Sequence, residues 1–304
     1  MPGLIEVKRR LKSVKSTKKI TRAMQMISAA KMRKAQIAAV QSRTYSSLAW
    51  EIITNLAHKV DPKYHALLSQ KNNTKKIAVI LISTNRGQVG GFNTNLINSV
   101  KRFFLDQPKG PEEVHIAADL IVMGRKGREA MVRLGESVIA DFPKSDKTIG
   151  ISEILPISKL ITEDYLAGKY SKVVLAYTHY VSTLSQKPLI KQLLPFKSEG
   201  DKADPDKHKD LPEHYKKNNF EYLFEPSPDK VLDYLVPRIL DSQVYQAILE
   251  SNASEHSARM IMMKNATDAA SDLIEDLTLT YNQVRQANIT KELAEITAGR
   301  IALE

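Results

Sequence analysis

Apolar residues recur three or four positions apart at both ends of the chain, and this spacing predicts long amphipathic helices. No Gly or Pro interrupts the stretch from Leu4 to His58, which would span roughly 80 Å at about 1.5 Å per residue. The apolar stripe of this first helix shifts phase once, which predicts a stutter in the repeat. Its members are Leu4, Val7, Leu11 and Val14 before the shift, and Ile20, Met24 and Ile27 after it.

The last third of the chain has the same spacing and predicts a second long helix, from about Ser227 to Leu303. Pro237 lies inside this helix and predicts a kink. The apolar stripe consists of Val231, Leu235, Ile239 and Leu240, then Leu273, Leu277, Tyr281 and Val284, then Ile289, Leu293 and Ile296.

Short β-branched runs alternate with helical stretches in the middle of the chain, which predicts an α/β domain with a mostly parallel, Rossmann-like sheet. The predicted strands are Lys76–Ser83, Asp119–Met123, Val138–Phe142, Lys172–His179 and Leu189–Phe196. The predicted helices are Asn93–Phe104, Lys126–Leu134 and Ile151–Leu166.

The predicted fold class is therefore α/β plus coiled coil. Residues 1–60 and 227–304 are expected to bury their apolar stripes against each other as a long antiparallel coiled coil. The α/β domain at 75–197 is inserted between them, and the charged, Pro-containing segment 198–219 is expected to be a surface loop.

The positive charge of the chain is concentrated at its start. Residues 1–43 contain twelve Lys or Arg and one acid, Glu6, so this segment alone accounts for the formal net charge of +11. Residues 250–304 contain nine acids and five bases. The two terminal helices thus have opposite charge but do not neutralise each other, because about +7 remains on the pair. This surplus requires either an anionic partner or solvent.

Composition excludes several kinds of chemistry. The chain has no cysteine, so disulfides, thiolate metal sites and thiol nucleophiles are excluded. The longest apolar run, Ile77–Ile82, has the length of a strand, so no direct membrane span is predicted. The seven histidines are scattered, and neither His208 with His214 nor His256 beside Glu255 has a pattern typical of a metal site or a catalytic base. We therefore predict no catalytic residue, no bound metal and no cofactor.

A glycine-rich turn, Gly87 to Gly91, follows a predicted strand and precedes a predicted helix, where a phosphate-binding loop would lie. It matches neither the dinucleotide fingerprint nor the P-loop pattern, so a tight strand–helix turn is the favoured interpretation. A dehydrogenase-like domain remains as the alternative, and it predicts nucleotide affinity for the purified chain.

A basic amphipathic helix has several possible uses. It could follow phosphates on a nucleic acid, lie on an anionic membrane, dock on an acidic protein, or simply expose its charges to solvent as the outside of a coiled coil. Residues 1–44 contain no aromatic side chain, which disfavours single-stranded nucleic acid and membrane surfaces. A basic coiled-coil nucleic-acid-binding protein is the main alternative function.

Three segments resemble one known family. LKSVKSTKKITRAMQMISAAKMRKAQ (Leu11–Gln36) is similar to the N-terminal motif of the γ subunit of F-type rotary ATP synthases. Ser254–Ile296 resembles that family's C-terminal helix, and STNRGQVGGFNTNL (Ser83–Leu96) resembles its central motif. Two further segments of the family, LLPF and FEYLFEPSPDKVL, lie between the central motif and the C-terminal helix. The resemblance therefore covers essentially the whole chain.

The resemblance implies a central-stalk rotor that couples proton flow to ATP synthesis or hydrolysis. Its partners would be the α and β subunits of the catalytic ring, the ε subunit and the membrane c ring, with no nucleic acid. Catalysis would belong to α and β, and the chain would be a peripheral subunit at the cytoplasmic face of the bacterial inner membrane.

The resemblance also implies which residues contact partners. Met24 and three residues near the C-terminus would contact β, Glu255 and Arg259 would make polar contacts that help couple the two helices, and three residues near 224 would meet the c ring and ε. The C-terminal residues are Arg285, Gln286 and Thr290, and the three near 224 are Tyr222, Phe224 and Glu225. Phe224 stands where the family has a second tyrosine, which removes a hydroxyl.

Overall fold

A computed structural model describes residues 3–59, 67, 74, 76–106, 118–145, 150–196, 225 and 228–301. The helices of this part are α1 (Leu4–Lys59), α2 (Phe92–Asp106), α3 (Arg125–Arg133), α4 (Leu155–Leu166) and α5 (Pro228–Ile301), with a 3-10 turn at Ile151–Glu153. The strands are β1 (Ile77–Ile82), β2 (Ala118–Met123), β3 (Ser137–Phe142), β4 (Lys172–Tyr180) and β5 (Gln186–Leu194). Each helix and strand predicted above is present, whereas the predicted loop 198–219 lies outside the described residues.

The five strands form one sheet in the order β3-β2-β1-β4-β5. Strands β1, β2, β3 and β4 are parallel, and β5 pairs antiparallel with β4. The mostly parallel sheet is therefore confirmed. All six residues of β1 are buried, which is expected of a central strand covered on both faces.

The two faces of the sheet have separate apolar cores. On one face, Ile80 and Ile82 of β1 pack with α4 and with the early part of α5, including Ile239 and Ile248. On the other face, Val79 packs with residues of α2 and α3. The first turns of α5 are thus part of the α/β core, which explains why their apolar stripe is wider than a coiled-coil seam.

The contacts divide the chain into two bodies. The helical body consists of residues 1–29 and 259–304, and the α/β body consists of residues 30–258. In the helical body the hydroxyls of Thr21 and Thr267 lie 2.8 Å apart across the seam between α1 and α5. In the α/β body, Gln246 donates to the carbonyl of Ala39 at 3.2 Å.

The predicted phase shift in α1 is wrong. In the helical body the buried or half-buried positions continue the first repeat without interruption, and Ile20 and Ile27 are each 57% exposed. Thr21 and Ser28 lie in the seam instead, at 8% and 3% exposure. Apolar character alone predicted the wrong face, because small polar side chains fit where the two backbones approach closely. The positions of this repeat are Leu4, Val7, Leu11, Val14, Lys18, Thr21, Gln25 and Ser28, and Met24 beside Gln25 is also half-buried.

Two aspartate substitutions at neighbouring positions test this seam. We expect Ser28→Asp to lower the free energy of unfolding by about 2 kcal/mol, because it places a carboxylate without a dedicated partner between two helices. Ile27→Asp should change it by less than about 0.5 kcal/mol, because that side chain is exposed. Both variants place an aspartate at neighbouring positions of the same helix, so helix propensity affects them equally. The difference between their melting temperatures therefore reports the difference in burial. Equal melting temperatures would contradict the assigned face.

Candidate functional site

The two long helices are antiparallel in the α/β body. Besides the Gln246–Ala39 bond, the hydroxyls of Ser46 and Ser242 lie 2.6 Å apart. Residue numbers rise along α1 from Ala39 to Ser46 while their partners fall along α5 from Gln246 to Ser242. The predicted antiparallel pairing is thus present, held by polar and small residues.

In the helical body the pairing ends where α1 begins. Leu4 lies seventeen residues before Thr21, and Val284 lies seventeen residues after its partner Thr267. Val284 is the last half-buried residue of α5, and every residue from Arg285 to Ile301 is exposed. This exposed segment, Arg285–Ile301, is called the α5 tip. Its apolar side chains include Ile289, Leu293 and Ile296, which were predicted to continue the stripe and here have no cover from α1.

The outer face of α1 in the helical body is cationic. Arg10 bonds Glu6 at 2.6 Å, but both side chains are exposed and the pair contributes little, about 0–1 kcal/mol. Lys18 lies in the seam, but the remaining basic side chains point away from it, and those of Lys8, Arg9, Lys12, Lys15, Lys19 and Arg22 are all exposed. The predicted basic surface is therefore available for an acidic partner.

A buried carboxylate, Glu250, joins three elements of the α/β body. One carboxylate oxygen lies 2.6 Å from Nδ1 of His179 on β4. The other accepts from Arg43 of α1 at 3.2 Å and from Gln246 of α5 at 2.8 Å. Burial opposes ionisation and raises the pKa of Glu250, but His179, Arg43 and Gln246 outweigh burial, so the pKa lies below its ordinary value.

A second buried ion pair lies at the carboxyl ends of the parallel strands. The ammonium of Lys144 is 2.7 Å from a carboxylate oxygen of Glu255 and donates to the carbonyl of Ser83, after β1, at 3.0 Å. The side chains of Lys144 and Glu255 are 2% and 8% exposed. In doubly wound sheets this edge is where ligands bind. Here a side chain of the chain itself fills the position and attaches α5 to β1.

The glycine-rich turn packs against α5. Gly90 has a positive φ angle of 58°, which glycine adopts at little cost, and Gln88 adopts a φ of 64° although it has a side chain. This geometry directs Val89 and Phe92 onto Ala258 of α5, and the three residues form a small buried cluster. The favoured interpretation as a strand–helix turn agrees with this packing.

Gly124, directly after β2, is required by a close approach of two strand ends. Its φ is 104°, and an added Cβ would lie 2.6 Å from the carbonyl oxygen of Ser83. We expect Gly124→Ala to lower the free energy of unfolding by about 2–3 kcal/mol, from backbone strain plus the clash. Gly135→Ala is the matched control, because Gly135 has a φ of 79° but open space around it. It should cost only about 1 kcal/mol in the same denaturant titration.

The structure places the predicted contact residues in different environments. Met24 is half-buried on α1, Arg259 is half-buried on α5, and Glu225 is exposed. Glu255 is buried against Lys144. The three residues of the α5 tip, Arg285, Gln286 and Thr290, are exposed and lie within two turns of each other. Tyr222 and Phe224 lie outside the described residues.

Sequence reasoning missed Lys144, His179 and Glu250. Their charged partners are 71 to 207 residues away in the chain, so no spacing rule within one element reveals them. Glu250 carried a faint signal, because it is the one charged residue in the uncharged run from Ala247 to Ala253. A carboxylate inside such a run is expected to have a buried partner.

None of the helices in the described part has the length and apolar character needed to cross a bilayer. Among the same residues, no three His, Asp or Glu side chains are grouped closely enough to hold a metal ion.

Two antiparallel helices drawn from opposite chain ends, with an α/β domain between them in the sequence, are the organisation of a stalk protein. A family model described as ATP synthase matches residues 3–303. The chain is 39% identical over 304 residues to the ATP synthase gamma chain of Roseiflexus castenholzii, covering 100% of this chain and 99% of that relative. It is 38% identical to the gamma chain of Heliobacterium modesticaldum, with both chains fully covered.

Solved structures show the same fold. A chain of the Euglena gracilis mitochondrial ATP synthase OSCP/F1/c-ring structure matches with a TM-score of 0.66 at 18% identity, covering 99% of this chain and 94% of that one. A chain of the Tetrahymena thermophila central stalk/c-ring structure matches with a TM-score of 0.57 at 20% identity, covering 81% and 99%. The chain belongs to the ATP synthase gamma chain family, the rotor subunits of the central stalk. This confirms the predicted family and function, and nothing supports the nucleic-acid-binding alternative.

Proposed function

We propose that this chain transmits torque within an ATP synthase and performs no catalysis of its own. Nucleotide binding and catalysis would belong to the α and β subunits, and the c ring and ε would bind the α/β body. The observation that carries this proposal is the pairing of α1 with α5, which leaves a cationic outer face on α1 and an uncovered α5 tip. Both surfaces are available to a surrounding ring.

The contact to β is proposed to involve Met24 of α1 and Arg285, Gln286 and Thr290 of the α5 tip. Exposed ionic contacts contribute about 0–1 kcal/mol each and exchange readily. A rotor benefits from such weak contacts, because a deep apolar interface would hold it at one angle. Met24 adds an adaptable apolar contact, since its thioether side chain deforms to fit changing surroundings.

The proposed foot of the rotor comprises Tyr222, Phe224 and Glu225, which would meet the c ring and ε. Glu225 is exposed and therefore accessible to a partner. Glu255 and Arg259 are proposed to contribute to coupling from the segment of α5 at the end of the α/β body. Binding to the c ring would hold the chain peripherally at the cytoplasmic face of a bacterial inner membrane, with protons as the coupling ion.

Single-molecule rotation tests this proposal. The chain has no cysteine, so Leu105→Cys, at a position 64% exposed on α2, provides a unique attachment point for a probe. In a complex with the α and β subunits of the same organism, ATP should drive rotation of the probe in one direction. A complex that hydrolyses ATP while the probe stays still would contradict the proposed function.

Cross-linking tests the contact residues separately. Arg285→Cys in the same complex should form a cross-link to β with a short bifunctional reagent. Leu166→Cys, at the 45% exposed end of α4 in the α/β body, is the matched control and should not. Equal yields from both positions would exclude the α5 tip as the specific contact.

A further inference from the structure

Glu250, a buried residue of α5, bonds both to the sheet and to α1. His179 belongs to β4, Arg43 to α1 and Gln246 to α5, and all three converge on its two oxygens at 2.6–3.2 Å. Gln246 also donates to the carbonyl of Ala39, so α1 is held at a second point one turn away. Neither long helix can slide or rotate here without stretching a bond to the same carboxylate.

The surrounding packing does not supply this constraint. Many side chains of α5 next to Glu250 are small or aliphatic, including Ala247, Ile248, Ser251 and Ala253, each at most 3% exposed. Apolar contact is non-directional, so it holds the helix against its neighbours but tolerates small changes of its angle. Charge-assisted hydrogen bonds depend on direction and distance, so they define an angle.

The cluster is built for geometry more than for stability. The side chains of His179 and Glu250 are each 5% exposed, and Arg43 is 20% exposed. Buried ionic groups often stabilise a fold no more than apolar residues of similar volume would. Their specific contribution is to select one arrangement among several that pack equally well.

We propose that Glu250, with His179 and Arg43, is a torque lock: a positioning cluster that makes α1, α5 and the sheet rotate as one unit. This inference rests on the proposed rotor function. A rotor driven at its α/β body must pass torque to both long helices. The lock makes the torque enter both helices at one point, without twist between helix and sheet.

Angular stiffness of the assembled complex tests the lock. With the catalytic ring stalled by a non-hydrolysable nucleotide, the fluctuation of a probe on Leu105→Cys reports twist between the α/β body and the held part of the shaft. We expect Glu250→Gln, which keeps the shape but removes the charge, to increase the angular variance on the order of twofold. Arg43→Met removes the bond between Glu250 and α1 but leaves the bond between Glu250 and His179, so it should give a smaller increase.

Two controls separate positioning from stability. Arg128→Ala with Asp141→Ala removes an exposed ion pair of the same body, 56% and 39% exposed, and should leave the variance unchanged. The melting temperature of each complex is recorded alongside. A lower melting temperature with unchanged variance in both Glu250→Gln and Arg43→Met would show a merely structural cluster and overturn the lock.

The experiment also distinguishes a failure of the torque lock from a failure of the proposed rotor function. If the unmodified complex hydrolyses ATP without rotation of the probe, the rotor proposal fails. If that complex rotates and the variants are as stiff as the unmodified chain, only the lock fails. If Glu250→Gln does not assemble, the variance of Arg43→Met decides, and an unchanged value overturns the lock.

Discussion

Replacing Glu255 with Ala is expected to lower the free energy of unfolding by about 3–5 kcal/mol, because the ammonium of Lys144 stays buried without its carboxylate. Lys144 retains the carbonyl of Ser83 as an acceptor at 3.0 Å, but a neutral acceptor does not compensate a full charge in a site that excludes water. Denaturant titration of the purified full chain measures the loss.

The double variant Lys144→Met with Glu255→Met is the matched control for this expectation. Removing both charges together replaces an ion pair with apolar side chains of similar length, so most of the loss should be recovered. The cycle of Lys144→Met, Glu255→Met and the double variant isolates the interaction between the two side chains. If the two single losses simply added in the double variant, the proposed charge pairing would be wrong.

Replacing Asp119 with Ala is expected to have the second largest effect, about 3 kcal/mol. Asp119 of β2 is 2% exposed and is bonded by Lys76 at 2.8 Å, by Tyr170 at 2.9 Å and by Ser137 at 3.3 Å. These residues come from the starts of four parallel strands or the turns before them, so the carboxylate joins the amino ends of β1, β2, β3 and β4. Its loss leaves buried donors without an acceptor.

The Asp119 cluster also predicts a pH dependence. Burial raises the pKa of Asp119, but hydrogen bonds from Lys76 and Tyr170 outweigh burial and the pKa lies below its ordinary value. Burial raises the pKa of Tyr170 to about 12, so its hydroxyl remains a donor. The stabilisation is complete above the unfolded pKa, about 3.9, and is lost as the pH falls below it through the folded pKa.

Asp119→Asn should therefore make the free energy of unfolding depend less on pH in the acid range. At neutral pH the variant is less stable than the unmodified chain, and the difference should shrink as the pH falls from about 4 to 2. Asp141→Asn is the control, because Asp141 is 39% exposed in its pair with Arg128 and should leave the curve nearly unchanged. A constant difference across this range would refute the assigned role of the charge.

The order and type of the elements could be predicted from the sequence because each depends on local properties. A long stretch without Gly or Pro forms α1, and the run IAVILI forms the buried strand β1. The family resemblance was also readable, since its motifs are contiguous segments. Both depend on neighbours in the chain, and neither needs knowledge of what packs against them.

Only the tertiary structure decided which face of α1 lies in the seam and which charges are buried. Thr21 rather than Ile20 faces α5 because the partner helix sets the register, and a hydroxyl opposite Thr267 fits a close approach that a larger side chain would prevent. Glu250 meets Arg43 across 207 residues of sequence. Pairing energy depends on distance in space, and only folding establishes that distance.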